Sequence, residues 1–162
     1  MISEKYKVFP SAGIQIRHTG IIDINNLYKK MQSWFKDNNY IFVEKEHTVK
    51  DKASGKEIVL KWEATRDVDD YARFVITVNF FFENLAKEGN AMKGFAKITF
   101  WADVLLDYRK AWQRSRLLKF LFFLYNNYVI KRRIIEVYDT KLNAETTELY
   151  NLTKDILGVI KE

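Results

Sequence analysis

The sequence predicts an α+β fold: an antiparallel β-meander in the order β-α-β-β-β-β-α-α, packed against a long C-terminal helix. Three observations carry that prediction. Four consecutive runs between residues 40 and 103 alternate with a period of two and are parted by short turn signals, the mark of antiparallel hairpins with one wetter face. From Arg109 onward glycine and proline nearly vanish while apolar residues return at helical spacing. No stretch of linker composition divides the 162 residues, so a single domain, 1–162, is expected. A chain of this length buries roughly 70% of its unfolded surface and needs no disulfide or metal staple.

The elements follow in order. Residues 14–22, IQIRHTGII, alternate loosely and read as a strand. Asp23 offers a side-chain oxygen to cap a helix, whose apolar face is Leu27, Met31, Trp34 and Phe35. Asn38 and Asn39 end it. Tyr40 to Val49 is rich in β-branched and aromatic residues, and Lys52-Ala53-Ser54-Gly55 turns the chain. The next strand sets Ile58, Leu60, Trp62 and Ala64 on one face. After a turn at Arg66–Asp70, Phe74, Ile76, Val78 and Phe80 share a face, and beyond Lys87–Asn90 so do Gly94, Ala96, Ile98, Phe100 and Ala102. The inward set predicted from these runs is Trp62, Phe74, Ile76, Ile98 and Phe100. A long helix is expected from about Lys110 to Tyr138. A last one, capped by Asn143, would place Leu149, Leu152, Ile156 and Ile160 on one face. Leu117–Tyr125 and Tyr128–Tyr138 have a competing reading as two strands joined at Asn126-Asn127; the charged flanks and low glycine content favour helix.

This element order is similar to the helix-grip fold of START-related lipid-carrier domains, so the fold is described as helix-grip-like. It departs from that family in having one early helix where two are usual and in lacking two strands. The resemblance is one of topology, with no motif behind it. It implies a sheet curved around the C-terminal helix, with space between them for a hydrophobic ligand.

Composition narrows the chemistry. There is no cysteine, which removes disulfide frameworks, thiolate metal sites and a cysteine nucleophile and suits a reducing cytoplasm, the compartment expected. No Gly-x-Ser-x-Gly elbow, Gly-x-Gly-x-x-Gly run or P-loop occurs, so nucleophile-elbow and phosphate-cradle chemistry are not expected. His18 and His47 lie on different strands and would meet only if those strands paired, with Glu44 and Glu46 nearest to complete a metal shell. Sheet-edge histidines are the simpler reading. Asp67, Asp69 and Asp70 fall in a hairpin turn, where aspartate is favoured by local backbone hydrogen bonds. Asp107 reads as a helix cap, and Asp103 sits where the last strand gives way to the helix. The sequence therefore leans away from an enzyme, and no catalytic residue, metal ligand or cofactor is assigned.

One surface is not random. Arg109, Lys110, Arg114, Arg116, Lys119, Lys131, Arg132 and Arg133 fall in a span without a single acid. Setting those eight aside from the 27 basic residues leaves 19 against 21 acids, so the net charge of +6 belongs to this segment. Between its basic ends the segment is apolar nearly all round, with Phe120 and Phe123 opposite the leucine stripe. A helix of that kind must be covered on most sides. The sheet and C-terminal helix, a second copy of the chain, or a ligand or membrane surface could supply the cover. The expected function is a non-enzymatic binding module for a hydrophobic or amphipathic ligand or an anionic membrane surface. Arg109, Lys110, Arg114, Arg116, Lys119, Phe120, Phe123, Lys131, Arg132 and Arg133 are its binding residues. Nucleic-acid binding through the same basic segment is the alternative, helped by Lys61, Arg73, Lys93 and Lys97 among Phe95 and Trp101 on the outer sheet face. Glu63 and Asp103 interrupt that face. A homodimer built on the apolar helix is the third reading.

Overall fold

The computed structural model describes residues 4–159 and places helices against one face of an antiparallel sheet. The strands are β1 (Glu4–Lys7), β2 (Ile14–Ile22), β3 (Ile41–Lys52), β4 (Gly55–Asp67), β5 (Ala72–Glu88) and β6 (Ala91–Leu106). Strands β3 to β6 form the expected meander, in the spatial order β6-β5-β4-β3. Strands β1 and β2 lie end to end along the free edge of β6, opposite Asp103–Leu106 and Met92–Phe100 respectively. The short, charged β1 went unread in the sequence, where Glu4–Lys7 shows no apolar alternation. Register shifts between Glu44 and Glu46, Lys56 and Ile58, and Glu83 and Ala86 are bulges, which bend a sheet and increase its twist.

Helix α1 (Ile24–Asp37) begins where Asp23 accepts the amide of Asn26 at 3.0 Å and ends at Asn38. Leu27, Met31, Trp34 and Phe35 are buried, as the spacing requires. The predicted inward residues Trp62, Phe74, Ile76, Ile98 and Phe100 are all buried in one core with them. Aromatic rings dominate that core: Trp62 packs edge-on against Phe80 at 4.8 Å and beside Tyr28 at 5.3 Å. The sheet–helix interface is thus filled by side chains. The hollow that a helix-grip resemblance implies is not where these rings meet.

The C-terminal half is helical, which removes the hairpin alternative, but its segmentation differs from expectation. A 3₁₀ turn (Ala111–Gln113) precedes α2 (Arg116–Leu124), which Ser115 caps by accepting the amide of Leu118 at 3.1 Å. A π-helical stretch (Tyr125–Ile130), α3 (Lys131–Arg133), a second π-helical stretch (Ile134–Asp139) and α4 (Thr140–Leu157) follow without a break. Tyr125, Lys131, Arg133 and Thr140 at the junctions all keep right-handed helical backbone. Asn143 therefore lies inside α4 and starts nothing. The whole run is about 60 Å long at 1.5 Å per residue.

Its last part, from Tyr138 onward, packs in the core against the sheet. The buried row of α4 is Leu142, Thr146, Leu149, Thr153 and Leu157, whereas Leu152 and Ile156 are only partly buried and Ile160 lies outside the described residues. Two threonines escaped the apolar count because each returns its hydroxyl to its own helix, to the carbonyls of Leu142 and Leu149 at 2.8 Å. That internal bond lets a polar residue enter a core at little cost.

Candidate functional site

The segment that carries the charge stands off the sheet at the end where β4 turns into β5. Its inner side is held by a small aromatic cluster. Trp112 stacks on Tyr125 at 5.6 Å, and Tyr71 meets Tyr125 edge-on at 6.0 Å and Phe122 at 6.2 Å. The Tyr71 hydroxyl donates to the side-chain oxygen of Asn126, which is buried. Asp107, also buried, adopts a left-handed backbone and accepts the amides of Ala111 at 2.8 Å and Trp112 at 3.3 Å. It therefore receives the first two amides of the 3₁₀ turn, while the cap of α2 itself is Ser115.

A second anchor lies one helical stretch further on. The Tyr138 hydroxyl donates to Asp69 at 2.6 Å, while Asp69 also accepts the amides of Ala72 at 2.7 Å and Tyr71 at 2.8 Å. Burial works to raise the Asp69 pKa, but these hydrogen bonds and the charge of Arg133 prevail and hold it below the usual carboxylate range. Burial and the Asp69 carboxylate push the Tyr138 hydroxyl up to about 12. A carboxyl depressed in the folded state stabilises above its unfolded pKa of about 3.9, and that contribution is lost as pH falls through the folded value. Acid is therefore expected to loosen this end of the helix before the core. Carboxyl NMR titration should place the Asp69 midpoint below about 3.9, and Tyr138→Phe should move it upward. A midpoint at or above 3.9 in the wild type would contradict the anchor.

The outer side has no cover. Leu117 is 67% exposed, Phe120 58%, Phe123 60% and Tyr128 81%. Leu121 and Val129 are exposed beside them. Of the three possible covers, the sheet and C-terminal helix do not supply it: α4 continues the helix instead of folding back on it, and among the described residues these side chains stay exposed.

The predicted binding residues divide into two groups. Arg109 is taken by Asp70 at 2.8 Å and by the Tyr108 hydroxyl, and Arg132 pairs with Glu136 one turn along. Arg133 hangs over the Tyr138 ring at 6.0 Å. Lys110, Arg114, Arg116, Lys119 and Lys131 are exposed and have no ion pair among the described residues. Phe120 and Phe123 face outward with them. Lys110 sits at a left-handed position (φ 56°) that leads into the 3₁₀ turn.

The weaker sequence candidates disperse. β2 and β3 do not pair, which leaves His18 beside the Ile21 carbonyl at 3.3 Å and His47 beside Glu44 at 3.1 Å. Among the described residues no group of three or more His, Cys, Asp or Glu could hold a metal ion. Asp67 is bound by Arg73, and Asp70 by Arg109. No helix among the described residues is long and apolar enough to cross a membrane. The anchors Tyr71 and Trp112 were not singled out in the sequence, and Tyr125 and Asn126 entered only as the edge and junction of the hairpin alternative. No family model, curated protein or solved structure matches this chain, so the functional reading rests on geometry and charge.

Proposed function

We propose that the chain is a non-enzymatic peripheral membrane-binding module that lays the outer side of residues 114–131 on an anionic lipid surface. The observation that carries this reading is the exposed apolar stripe of Leu117, Phe120, Leu121 and Tyr128, bracketed by Arg114 and Arg116 at one end and Lys131 at the other. Apolar and aromatic side chains at the centre enter the headgroup–acyl boundary, and the cations at the ends meet phosphate and carboxylate groups. Each contributes about 1 kcal/mol near an anionic surface. The anchors at Asn126 and Tyr138 present the stripe preformed, so little ordering entropy opposes docking.

Charge also selects among the possible covers. A second copy of this helix, laid parallel or antiparallel along the same stripe, would bring basic end to basic end, with no acid between Arg109 and Arg133 to relieve it. Self-association is therefore opposed, while an acidic surface is attracted. Nucleic acid on this segment is disfavoured because about three turns without a charge separate Lys119 from Lys131, where a phosphate backbone needs a continuous track.

The test is co-sedimentation with vesicles of phosphatidylcholine containing 30% phosphatidylserine, against phosphatidylcholine alone. Binding should require the anionic lipid. Arg114→Glu/Arg116→Glu should weaken it by at least about thirtyfold, two lost contributions of about 1 kcal/mol each before any repulsion. Phe120→Asp should abolish it with little loss of stability, since Phe120 is 58% exposed. No vesicle binding together with a dimer in solution would overturn the reading in favour of a protein interface. Steeply salt-dependent nucleic-acid binding lost in the Arg114→Glu/Arg116→Glu variant would overturn it in favour of a nucleic-acid interface.

A further inference from the structure

The sheet face opposite the helices is open, and its centre holds a residue that sheet physics does not choose. Asn79 sits in the middle of β5, the central strand, with Lys61 of β4 and Thr99 of β6 directly opposite it on either side. Asparagine is depleted in strands. Its Oδ1 is shielded from solvent and accepts no hydrogen bond among the described residues, an arrangement that destabilises a fold unless something else supplies the donor.

The surroundings are those of a binding site. Asn79 lies where two adjoining depressions meet, of about 450 and 270 Å³, which also share Trp101. Val59, Phe81, Phe95 and Trp101 wall the larger one. Trp101 is clamped: its indole N–H donates to the Ser11 carbonyl at 3.0 Å. The loop that supplies this carbonyl closes over the ring through Gly13, at φ +69°, where a Cβ would lie 2.6 Å from the Phe100 carbonyl and 2.9 Å from the indole nitrogen. Only glycine fits there. The result is a rigid, half-exposed aromatic plate beside a half-buried asparagine whose Oδ1 is shielded.

Acids and bases share this face, Glu83 opposite Phe95 toward one end and Glu46 opposite Lys61 on β3, but the acids near Trp101 are paired. Asp103 is occupied by Lys5 at 2.8 Å and Glu63 by Lys45 at 3.5 Å. Lys61 and Lys97, beside and diagonal to Asn79, have no ion pair among the described residues. A planar ring offering N–H donors at its edge, joined to an anionic group, satisfies every part. The ring stacks on Trp101 or Phe95, its edge donates to Asn79, and the anion meets Lys61 or Lys97. We infer that the open sheet face centred on Asn79 and Trp101 binds nucleobases carrying phosphate, either as a free nucleotide or as a single-stranded segment. Aromatic side chains on an open sheet, flanked by cations, stack bases in this way. This site is separate from the docking helix and does not depend on it.

The experiment measures binding of AMP, UMP, inorganic phosphate, fluorescein-labelled single-stranded A10 and U10 RNA, and a 10-base-pair RNA duplex, by fluorescence anisotropy and equilibrium dialysis. Base-bearing single-stranded probes should bind, and phosphate and duplex should not. Equal affinity for mononucleotide and decamer identifies a nucleotide site, and binding of the decamer alone identifies a single-strand site; either supports the inference. Asn79→Val should weaken binding about tenfold or more, as should Trp101→Ala. Asn79→Val should also raise Tm by about 3 °C, because it removes an unpartnered acceptor and adds a β-branched residue. Lost binding in that variant is then not lost folding. Absence of binding to every base-bearing probe overturns the inference. So does binding that tolerates Asn79→Val and Lys61→Glu/Lys97→Glu but is lost in Arg114→Glu/Arg116→Glu.

Discussion

Replacing Trp62 with alanine is expected to cost about 3–5 kcal/mol of folding free energy, the range for truncating a buried aromatic ring. Trp62 is 1% exposed and sits at the junction of β3, β4, β5 and α1. Its ring touches Phe80 at 4.8 Å, Tyr28 at 5.3 Å and Phe42 at 5.4 Å, so its loss opens a cavity between three rings that cannot collapse together. The indole N–H also donates to Glu44 at 3.2 Å, but Glu44 keeps His47 as a partner. The cost should therefore come mainly from packing. Trp62→Phe should accordingly recover more than half of the loss. Urea melts followed by circular dichroism measure both. A cost below about 1 kcal/mol would show that the ring is not a keystone of this core.

That prediction was already legible in the sequence, because a sheet with one buried face leaves a period-two trace that no other structure shares. Trp62, Phe74, Ile76, Ile98 and Phe100 recur at every second position among mostly polar neighbours, and all five are in the core. The helical half was legible in type and not in layout. Nothing in Ile134–Thr140 marks a boundary, and the chain runs through it as helix. The break expected near Asn143 rested on its capping chemistry, which a backbone already helical does not use. Burial on α4 was partly hidden for a different reason: Thr146 and Thr153 are polar by composition but satisfied within the helix.

For the candidate sites the same physics cuts the other way. The basic, apolar character of residues 109–133 was plain from composition, but whether a partner lay inside the chain depended on where α4 went. Sequence periodicity carries no information about that. The missing cover follows from helix continuity, a tertiary fact. The open-face site had a visible trace in Asn79, an asparagine amid a β-branched and aromatic strand. Its meaning emerges only from the register, which sets Lys61 and Thr99 beside it and shows Glu63 and Asp103 to be neutralised by lysines from β3 and β1.

Removing the carboxylate that ties α4 to the sheet, by Glu145→Ala, is the second large effect expected, at about 2–3 kcal/mol. Arg66 on β4 binds both oxygens of Glu145, at 2.9 and 3.0 Å, and its other nitrogen donates to the Asn38 carbonyl at 2.9 Å. The Tyr40 hydroxyl donates to the same carboxylate at 2.5 Å. The guanidinium lies over the rings of Tyr40 at 4.6 Å and Phe74 at 5.3 Å. Burial and the Glu145 contact raise the Tyr40 hydroxyl well above its ordinary pKa, so it remains a donor at any working pH. Breaking a buried pair from one side costs about 3–5 kcal/mol, because it strands the other charge. Here each side chain keeps 15% exposure and Arg66 keeps Asn38, which lowers the figure to the stated range. Two further variants separate the charge from the contact. Glu145→Gln, which retains an acceptor for Tyr40, should cost less than Glu145→Ala. Arg66→Met/Glu145→Leu should be more stable than either single replacement, since neither partner is then left alone. A Glu145→Ala cost below about 0.5 kcal/mol, or strictly additive effects in the double variant, would mean that α4 is held on the sheet by its apolar row alone.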